Sequence, residues 1–219
     1  MDVLYYIGSG SRHNNMELRY SLRSLEKHCK DVDKVWIVGN KPAFLRNVEY
    51  IWIEDKYKWH TNACLKTKAA IDAGISQEFL LMNDDFFMTA DFEAKNYPYF
   101  HKGDMTDAKD NEYKKVIANT KQYLESIGKP IKHYGVHCPM RINAENYKSL
   151  EKYYFEPMSI RCLYGNLFAE GRQTKDCKGK DFKKSPTKCF SSLEWMGTDF
   201  VKELNKMYPN PSRWEEENA

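Results

Sequence analysis

Residues 78–88 read EFLLMNDDFFM, and this stretch decides the fold class. Residues 79–82 are wholly apolar, which is typical of a short strand buried on both faces of a sheet. Asn83, Asp84 and Asp85 follow that strand directly, and three more apolar residues come after them. Ligands of α/β sheets bind beyond the carboxyl ends of the strands. The stretch therefore predicts a polar ligand site at one edge of an α/β sheet.

The chain around this stretch alternates between strand and helix patterns. Before residue 78, the patterns predict strands at 2–7, 34–39 and 48–54 and helices at 15–30 and 60–73. In the first helix, Leu18, Leu22, Leu25 and Cys29 recur at helical spacing, and Asn14 and Asn15 are candidate N-caps. After residue 88, the patterns predict helices at 110–127, 143–153 and 158–169 and a short strand at 134–139. Such alternation predicts an α/β sheet covered by helices.

The composition is that of a globular chain rather than a disordered one. The 219 residues are 42% hydrophobic and 30% charged, and we expect one domain over residues 1–219. The sequence has no apolar run long enough to span a membrane and no secretory leader pattern at its start. Its six cysteines lack any CxxC pair. These features predict a cytoplasmic protein, in host cytoplasm if a phage encodes it, with free thiols.

The segment at about 170–188 is rich in lysine and predicts a loop. Between Arg172 and Lys188 it carries seven basic residues against two acidic ones. Basic side chains neutralise nucleic-acid phosphates, and aromatic ones such as Phe182 and Phe190 stack on bases. The loop therefore indicates a DNA acceptor or partner, while a solvated lysine loop is the plainer interpretation.

The acidic pair Asp84 and Asp85 is the first candidate site. Mg²⁺ and Mn²⁺ prefer oxygen ligands and commonly bridge one or two carboxylates to substrate phosphates. A cation held there would neutralise charge on a leaving diphosphate. A plain turn after the strand, capped by Asn83, is the alternative.

Three further elements could take part in the same chemistry. His137, beside the turn at Pro139, could serve as a general base, or be a structural histidine. Arg161 has apolar neighbours and needs either a phosphate or a structural carboxylate as partner. The turn at residues 8–12, GSGSR, could offer backbone N–H groups and Arg12 to phosphates, although it is not a P-loop.

Taken in order, these segments resemble the Stealth family of bacterial capsule and lysosomal-targeting sugar-phosphate transferases. The resemblance runs over roughly residues 2–168 and is carried by 2–6 (DVLYY), 17–27 (ELRYSLRSLEK), 35–38 (VWIV) and 81–87 (LMNDDFF). Asn62-Ala63, His137 with Pro139, and Arg161 resemble its remaining segments. The family's first strand usually continues into Trp-Val-Asp-Gly, whereas this chain continues into residues 7–10, IGSG.

The resemblance implies a Rossmann-like, GT-A-like mixed sheet flanked by helices and a nucleotide-sugar donor, most simply a UDP-sugar. It implies metal and diphosphate binding at Asp84 and Asp85, catalysis at Asp85 and His137, and phosphate contact at Arg161. Other donor contacts would come from the Gly-rich turn and from the family segments; they are Gly8, Ser9, Gly10, Arg12, Arg19, Asn62 and Asn83.

The leading hypothesis is a metal-dependent glycosyltransferase. We expect it to move a sugar from a nucleotide sugar to a hydroxyl acceptor, with hydroxymethylated bases of phage DNA as the favoured acceptor. One alternative is a Stealth-type hexose-1-phosphate transferase or a glycosyltransferase that acts on a cell-surface polysaccharide. Another is a nucleic-acid-binding module without catalysis.

Overall fold

The computed structural model describes residues 1–11, 13–179, 185–192 and 198–216, with the backbone alone described at 192 and 198. The strands are β1 (Asp2–Ile7), β2 (Val35–Gly39), β3 (Glu49–Ile51), β4 (Glu78–Met82), β5 (Phe87–Met88), β6 (Tyr99–His101), β7 (Met140–Asn143), β8 (Gly171–Gln173), β9 (Lys178–Gly179) and β10 (Cys189–Ser192). The α-helices are α1 (Met16–His28), α2 (Trp59–Asp72), α3 (Glu112–Ser126), α4 (Ala144–Lys148), α5 (Ile160–Phe168) and α6 (Thr198–Met207).

The central sheet of the described chain has the strand order β3-β2-β1-β4-β7. The first four strands of that order pair in parallel, and β7 joins β4 antiparallel, so the sheet is mixed. The chain runs from β1 outward through β2 to β3 and then returns to place β4 on the other side of β1. The carboxyl ends of β1 and β4 therefore meet at a topological switch point, where open α/β sheets bind ligands.

Each face of the sheet packs against helices, and the alternation along β1 shows how. Val3, Tyr5 and Ile7 belong to one core cluster, together with the leucines of α1. Leu4 belongs to the cluster on the opposite face, which includes residues of α2, α3 and α5. Because both faces are covered, the parallel strands are almost continuously apolar. The predicted α/β class, with a mixed sheet flanked by helices, is confirmed.

The segment predicted as a loop at about 170–188 contains two strands, so that prediction was wrong in part. β8 pairs in parallel with β6, and β9 pairs in parallel with β10. β10 in turn pairs antiparallel with β5, which follows the acidic motif by one residue. These strands are short and polar and show no alternation of apolar residues. They therefore form through pairing with strands that lie elsewhere in the chain, and no local sequence pattern predicts them. Residues 180–184, including Phe182, lie outside the described residues.

Two other predicted elements differ from the structure. The strand expected at 134–139 begins only at Met140, because the backbone N–H groups of Val136 and Cys138 each donate to a carbonyl two residues earlier, which forms tight turns. The helix expected at 143–153 is α4 followed by a 3₁₀ turn at Glu151–Tyr153. Asn15 does occupy the N-cap position of α1, in a left-handed conformation and without a side-chain capping bond.

No helix in the described part of the chain is both long and apolar enough to cross a bilayer. All six cysteines lie in described segments as buried free thiols.

Candidate active site

A cavity of 390 Å³ lies beyond the carboxyl ends of β1 and β4, at the switch point of the sheet. We call it the acidic cavity, because three carboxylates face it. It is lined by Gly8, Gly10, Ser11, Glu17, Asn83, Asp84, Asp85, His137 and Lys178.

The three carboxylates of the acidic cavity lie close enough for their charges to interact. Glu17, in the first turn of α1, is 4% exposed, and its Oε2 atom has no hydrogen-bond partner among the described residues. Burial, followed by the charges of Asp85 and Glu17, raises the pKa of Asp84 to about 7. Three acids in a lining that has one cation, Lys178, favour a further cation or a proton in the cavity.

The third carboxylate is oriented by the second half of the chain. Ser191, on β10, donates a hydrogen bond of 2.7 Å from its Oγ atom to Oδ2 of Asp85. Ser191 is fully buried, and the pairing of β10 with β5 fixes its position. The antiparallel pair therefore connects the acidic motif to a strand about a hundred residues later.

His137 is held by the carboxylate of Asp176. Its Nδ1 atom lies 2.8 Å from Oδ1 of Asp176, which also accepts the backbone N–H of His137 at 3.0 Å. The other carboxylate oxygen of Asp176 lies 3.0 Å from Nζ of Lys102. Burial alone would raise the pKa of Asp176, but the hydrogen bonds from His137 and the charge of Lys102 hold it well below its usual value. The carboxylate therefore stays ionised and leaves Nε2 of His137 available for proton transfer.

Arg161 frames the turn that carries His137. Its Nε atom donates to the carbonyl of Tyr134 at 2.9 Å, and its Nη2 atom donates to the carbonyl of Cys138 at 2.6 Å. Within the described chain it makes no ion pair with a carboxylate. The remaining N–H groups of the guanidinium can therefore serve an anionic ligand.

A second cavity of 400 Å³ adjoins the first, and we call it the aromatic cavity. Tyr6, Trp59, Tyr113 and Tyr147 contribute rings to its lining, and Arg161 contributes its charge. Asn83 and His137 line this cavity as well as the acidic one. The hydroxyl of Tyr6 donates to Oδ1 of Asn83 at 2.7 Å, which fixes the amide at the boundary between the two spaces.

The structure brings together some of the predicted donor contacts and separates others. Gly8 and Gly10 line the acidic cavity, whereas Ser9 is exposed and lines neither cavity. The guanidinium of Arg19 lies over the ring of Phe44 at 4.0 Å and beside Glu215, away from both linings. Arg12 lies outside the described residues.

Asn62 has a different set of contacts from those predicted. Its side-chain amide accepts the backbone N–H of Tyr57 at 3.0 Å and donates to the carbonyl of Tyr57 at 2.7 Å. Asn62 thus fixes the segment before α2, and it is absent from the linings of the acidic and aromatic cavities.

Sequence reasoning missed four residues of the site: Glu17, Asp176, Lys178 and Ser191. Glu17 could have been identified from the sequence, because it opens the ELRYSLRSLEK segment and is an acid on a helix that packs on the sheet. Asp176, Lys178 and Ser191 had no local signal, since they reach the site only through the pairing of β9 and β10.

The carboxylates of the acidic cavity supply part of the ligand set of a divalent cation. In the described residues, no three or more His, Cys, Asp or Glu side chains are grouped so as to enclose a metal on their own. The unpartnered oxygen of Glu17 and the acids beside it nevertheless fit a cation that takes its other ligands from phosphate and water, as Mg²⁺ commonly does.

Comparisons with known proteins agree with the motifs of the sequence. No protein-family profile matches the chain. The human N-acetylglucosamine-1-phosphotransferase subunits alpha/beta are 32% identical over 108 residues, which is 43% of this chain and 9% of the human protein. The chain therefore corresponds to a small part of that relative's length.

Among solved structures, the galactosyltransferase LgtC in complex with donor and acceptor sugar analogues is similar with a TM-score of 0.48 and 13% identity, over 97% of this chain and 98% of that one. An active-site mutant of LgtC gives a TM-score of 0.46 and 12% identity over the same shares. Over the segment aligned with the human protein, the predicted resemblance to a Stealth-type nucleotide-sugar transferase is confirmed.

Proposed function

We propose that the chain is a glycosyltransferase that moves a sugar from a nucleotide sugar to a hydroxyl acceptor. The donor diphosphate would lie in the acidic cavity and the acceptor would enter from the aromatic cavity. One observation carries this proposal: Asn83 and His137 line both cavities, so a donor in one and an acceptor in the other would meet at these two side chains. UDP is the nucleotide that the family resemblance favours.

Asp84 and Asp85, with Glu17 beside them, would hold Mg²⁺ or Mn²⁺. The unpartnered Oε2 of Glu17 and the raised pKa of Asp84 support this assignment. When bound, such an ion neutralises the negative charge that builds up on the leaving diphosphate. Lys178, which also lines the acidic cavity, would add a positive charge to the same space.

His137 would accept the proton of the acceptor hydroxyl. In glycosyl transfer, the acceptor oxygen forms a bond to the anomeric carbon, the bond from that carbon to the diphosphate breaks, and a nucleoside diphosphate leaves. Asp176 would hold the ring of His137 in one tautomer and stabilise its protonated form, as the aspartate of a catalytic triad does. Arg161, with two N–H groups already on carbonyls, lines the aromatic cavity and not the acidic one, so its phosphate contact stays a prediction from the family resemblance.

The second candidate is sugar-1-phosphate transfer, and the similarity to the human phosphotransferase favours it. There the acceptor oxygen would form a bond to the phosphorus next to the sugar, the bond between the two phosphates would break, and a nucleoside monophosphate would leave. The same proton transfer to His137 serves both reactions. The two are distinguished by their by-product.

Hydroxymethylated DNA stays a prediction for the acceptor, and it rests on the basic segment and the aromatic residues Phe182 and Phe190 near it. Lys180, Lys183 and Lys184 of that segment lie outside the described residues. Of its described cations, Lys178 lines the acidic cavity and Lys188 donates to the carbonyl of Asp91.

The test is incubation with a panel of nucleotide sugars and Mn²⁺, with product and nucleotide identified by mass spectrometry. We expect donor turnover that EDTA abolishes and that the double variant Asp84→Asn/Asp85→Asn lowers by at least about a hundredfold. Asp107→Asn, a surface acid paired with Lys121, is the control and should keep full activity.

Release of nucleoside diphosphate supports glycosyl transfer, and release of monophosphate supports the second candidate. Full turnover in the double variant would refute the donor site. Salt-sensitive DNA binding without turnover of any donor would instead support the binding module.

A further inference from the structure

Two pairs of exposed aromatic side chains, one of which lines the aromatic cavity, form a group that we call the aromatic platform. Trp59 and Tyr113 line the cavity yet are 55% and 40% exposed, and their ring centroids lie 6.2 Å apart. Tyr57 and Phe155 are 54% and 63% exposed and meet edge to face at 5.3 Å. A cluster of large exposed apolar rings beside a site marks a binding surface.

The platform is held in place by polar contacts. Asn62 pairs with both backbone groups of Tyr57, and Nζ of Lys58 forms an ion pair with Glu112 at the start of α3. The hydroxyl of Tyr113 lies 3.4 Å from Nε2 of the buried His133. The segment that carries Tyr57 and Trp59 is therefore fastened to α2 and α3, and its rings are presented to solvent by a fixed backbone.

Three cations beside the platform form ion pairs, whereas Arg161 in the cavity lining has only carbonyls as described partners. Lys58 pairs with Glu112, and Lys56 lies 3.3 Å from Glu54. Inside the cavity, Lys102 is bound to Asp176. A strand of DNA brings one phosphate per nucleotide and needs a row of available cations along its path. The described residues next to these rings do not provide such a row.

An uncharged ring with polarised C–H groups suits this surface better. The face of an aromatic ring is electron-rich, so it attracts the C–H groups that one side of a sugar ring presents, while the sugar's hydroxyls stay in contact with water. At the inner end of the cavity, the polar side chains of Asn83, Ser159 and His137 could contact hydroxyl groups.

We propose that the aromatic platform binds the acceptor, and that the acceptor is an uncharged glycan whose terminal sugar stacks on Trp59 and Tyr113. This inference names the acceptor class of the transferase proposed above and rests on that proposal. The hydroxyl to be modified would then lie at the inner end of the cavity, beside His137.

The test is binding and transfer with two probes: an array of neutral hexose and N-acetylhexosamine oligosaccharides, and a single-stranded oligonucleotide that contains hydroxymethylcytosine. We expect binding to one or more neutral glycans and none to the oligonucleotide. Trp59→Ala should weaken glycan binding and raise the acceptor KM by about tenfold, and Trp59→Phe should restore part of the loss.

Trp52→Ala is the matched control, because Trp52 is 62% exposed but does not line the cavity. It should bind glycans as wild type does. Circular dichroism and thermal melting should be the same for all three variants and wild type, which shows that they are folded, and hydrolysis of the nucleotide sugar without acceptor should be unchanged in Trp52→Ala.

Binding of the oligonucleotide in a Trp59-dependent way would overturn the proposal in favour of nucleic acid. Equal glycan binding by wild type and Trp59→Ala, or binding of no neutral glycan, would also overturn it. Failure of the donor site is distinguishable, since it appears as absent donor hydrolysis in wild type while Trp59-dependent glycan binding persists.

Discussion

The Nδ1 atom of His137 lies 2.8 Å from the Oδ1 atom of Asp176, thirty-nine residues later in the chain. Because the same oxygen also accepts the backbone N–H of His137, the carboxylate fixes both the ring and the turn that carries it. A group that acts through the base in this way should affect the chemical step more than donor binding.

Asp176→Asn is therefore expected to lower kcat by about 10²–10³-fold while the donor KM changes by less than about threefold. The amide preserves the shape of the side chain but not the charge that stabilises protonated His137. Steady-state kinetics over a range of pH measure both constants. Asp104→Asn, which removes a surface partner of Lys132, is the control. A kcat equal to wild type would contradict a positioning role for Asp176.

Glu17→Gln should have opposite effects on stability and on activity. The substitution removes one carboxyl from a crowded cavity, so the metal-free protein should melt about 2–4 °C higher, for a gain of about 1 kcal/mol. Stabilisation by Mn²⁺ with a nucleotide diphosphate should shrink, since a candidate oxygen ligand is lost.

Differential scanning fluorimetry with and without Mn²⁺ measures both effects of Glu17→Gln. Glu125→Gln, an exposed acid of α3, should change neither melting temperature. A lower melting temperature of the metal-free Glu17→Gln protein would show that the carboxyl is structurally satisfied.

The sequence allowed the parallel part of the sheet to be predicted, because its strands are buried on both faces. The apolar stretches at 3–7 and 79–82 fit buried strands, and this interpretation places Asp84 and Asp85 just beyond the carboxyl end of the second strand. The antiparallel β7 was predicted six residues too early, since the tight turns at 134–138 depend on Arg161 holding two of their carbonyls.

The part of the site that comes from the second half of the chain could not be predicted in the same way. Lys178 and Ser191 lie on strands of two and four residues, too short to show a period. Their position depends on the pairing of β10 with β5, a contact between residues about a hundred positions apart. The sequence pattern correctly predicted that Glu17 lies on a helix. It could not show that this helix residue faces the acidic cavity, because that follows from the position of the switch point in the sheet.

Loss of the Glu215 carboxylate should lower the stability of the fold without affecting the donor site. Its side chain is fully buried and lies 2.8 Å from Nη2 of Arg23 and 3.3 Å from Nη1 of Arg19. Burial alone would raise its pKa, but the hydrogen bonds from Arg23 and Ser212 lower it. Glu215→Ala leaves two largely buried guanidinium groups without this carboxylate, so the free energy of unfolding should fall by about 3 kcal/mol.

Urea denaturation measures that loss, and donor hydrolysis below the unfolding transition should keep its KM. Arg19→Ala tests the predicted donor contact of Arg19 directly. From its position beside Phe44 and Glu215, we expect lower stability and an unchanged donor KM. A large rise in that KM would support the donor role.

His133 should make the protein lose stability in mild acid. Its ring is 9% exposed, and its Nδ1 atom accepts the backbone N–H of Gly135 at 3.1 Å, in the turn that leads to His137. Burial, followed by the charge of Lys102, lowers its pKa from 6.5 to about 4. Between these values the unfolded chain binds a proton and the folded chain does not. The stability that His133 contributes is therefore complete above pH 6.5 and declines as the pH falls toward 4, by at most about 3 kcal/mol.

His133→Gln isolates this contribution, because glutamine can accept the Gly135 N–H but does not titrate. Urea denaturation at pH 7.0, 5.5 and 4.5 should show that the free energy of unfolding of wild type falls relative to that of His133→Gln as the pH decreases. His13→Gln keeps His133 in place and should decline as wild type does. Because protonation of Nδ1 would break the bond to Gly135, donor turnover of wild type should fall over the same pH interval. Equal declines in wild type and His133→Gln would show that another group senses the acid.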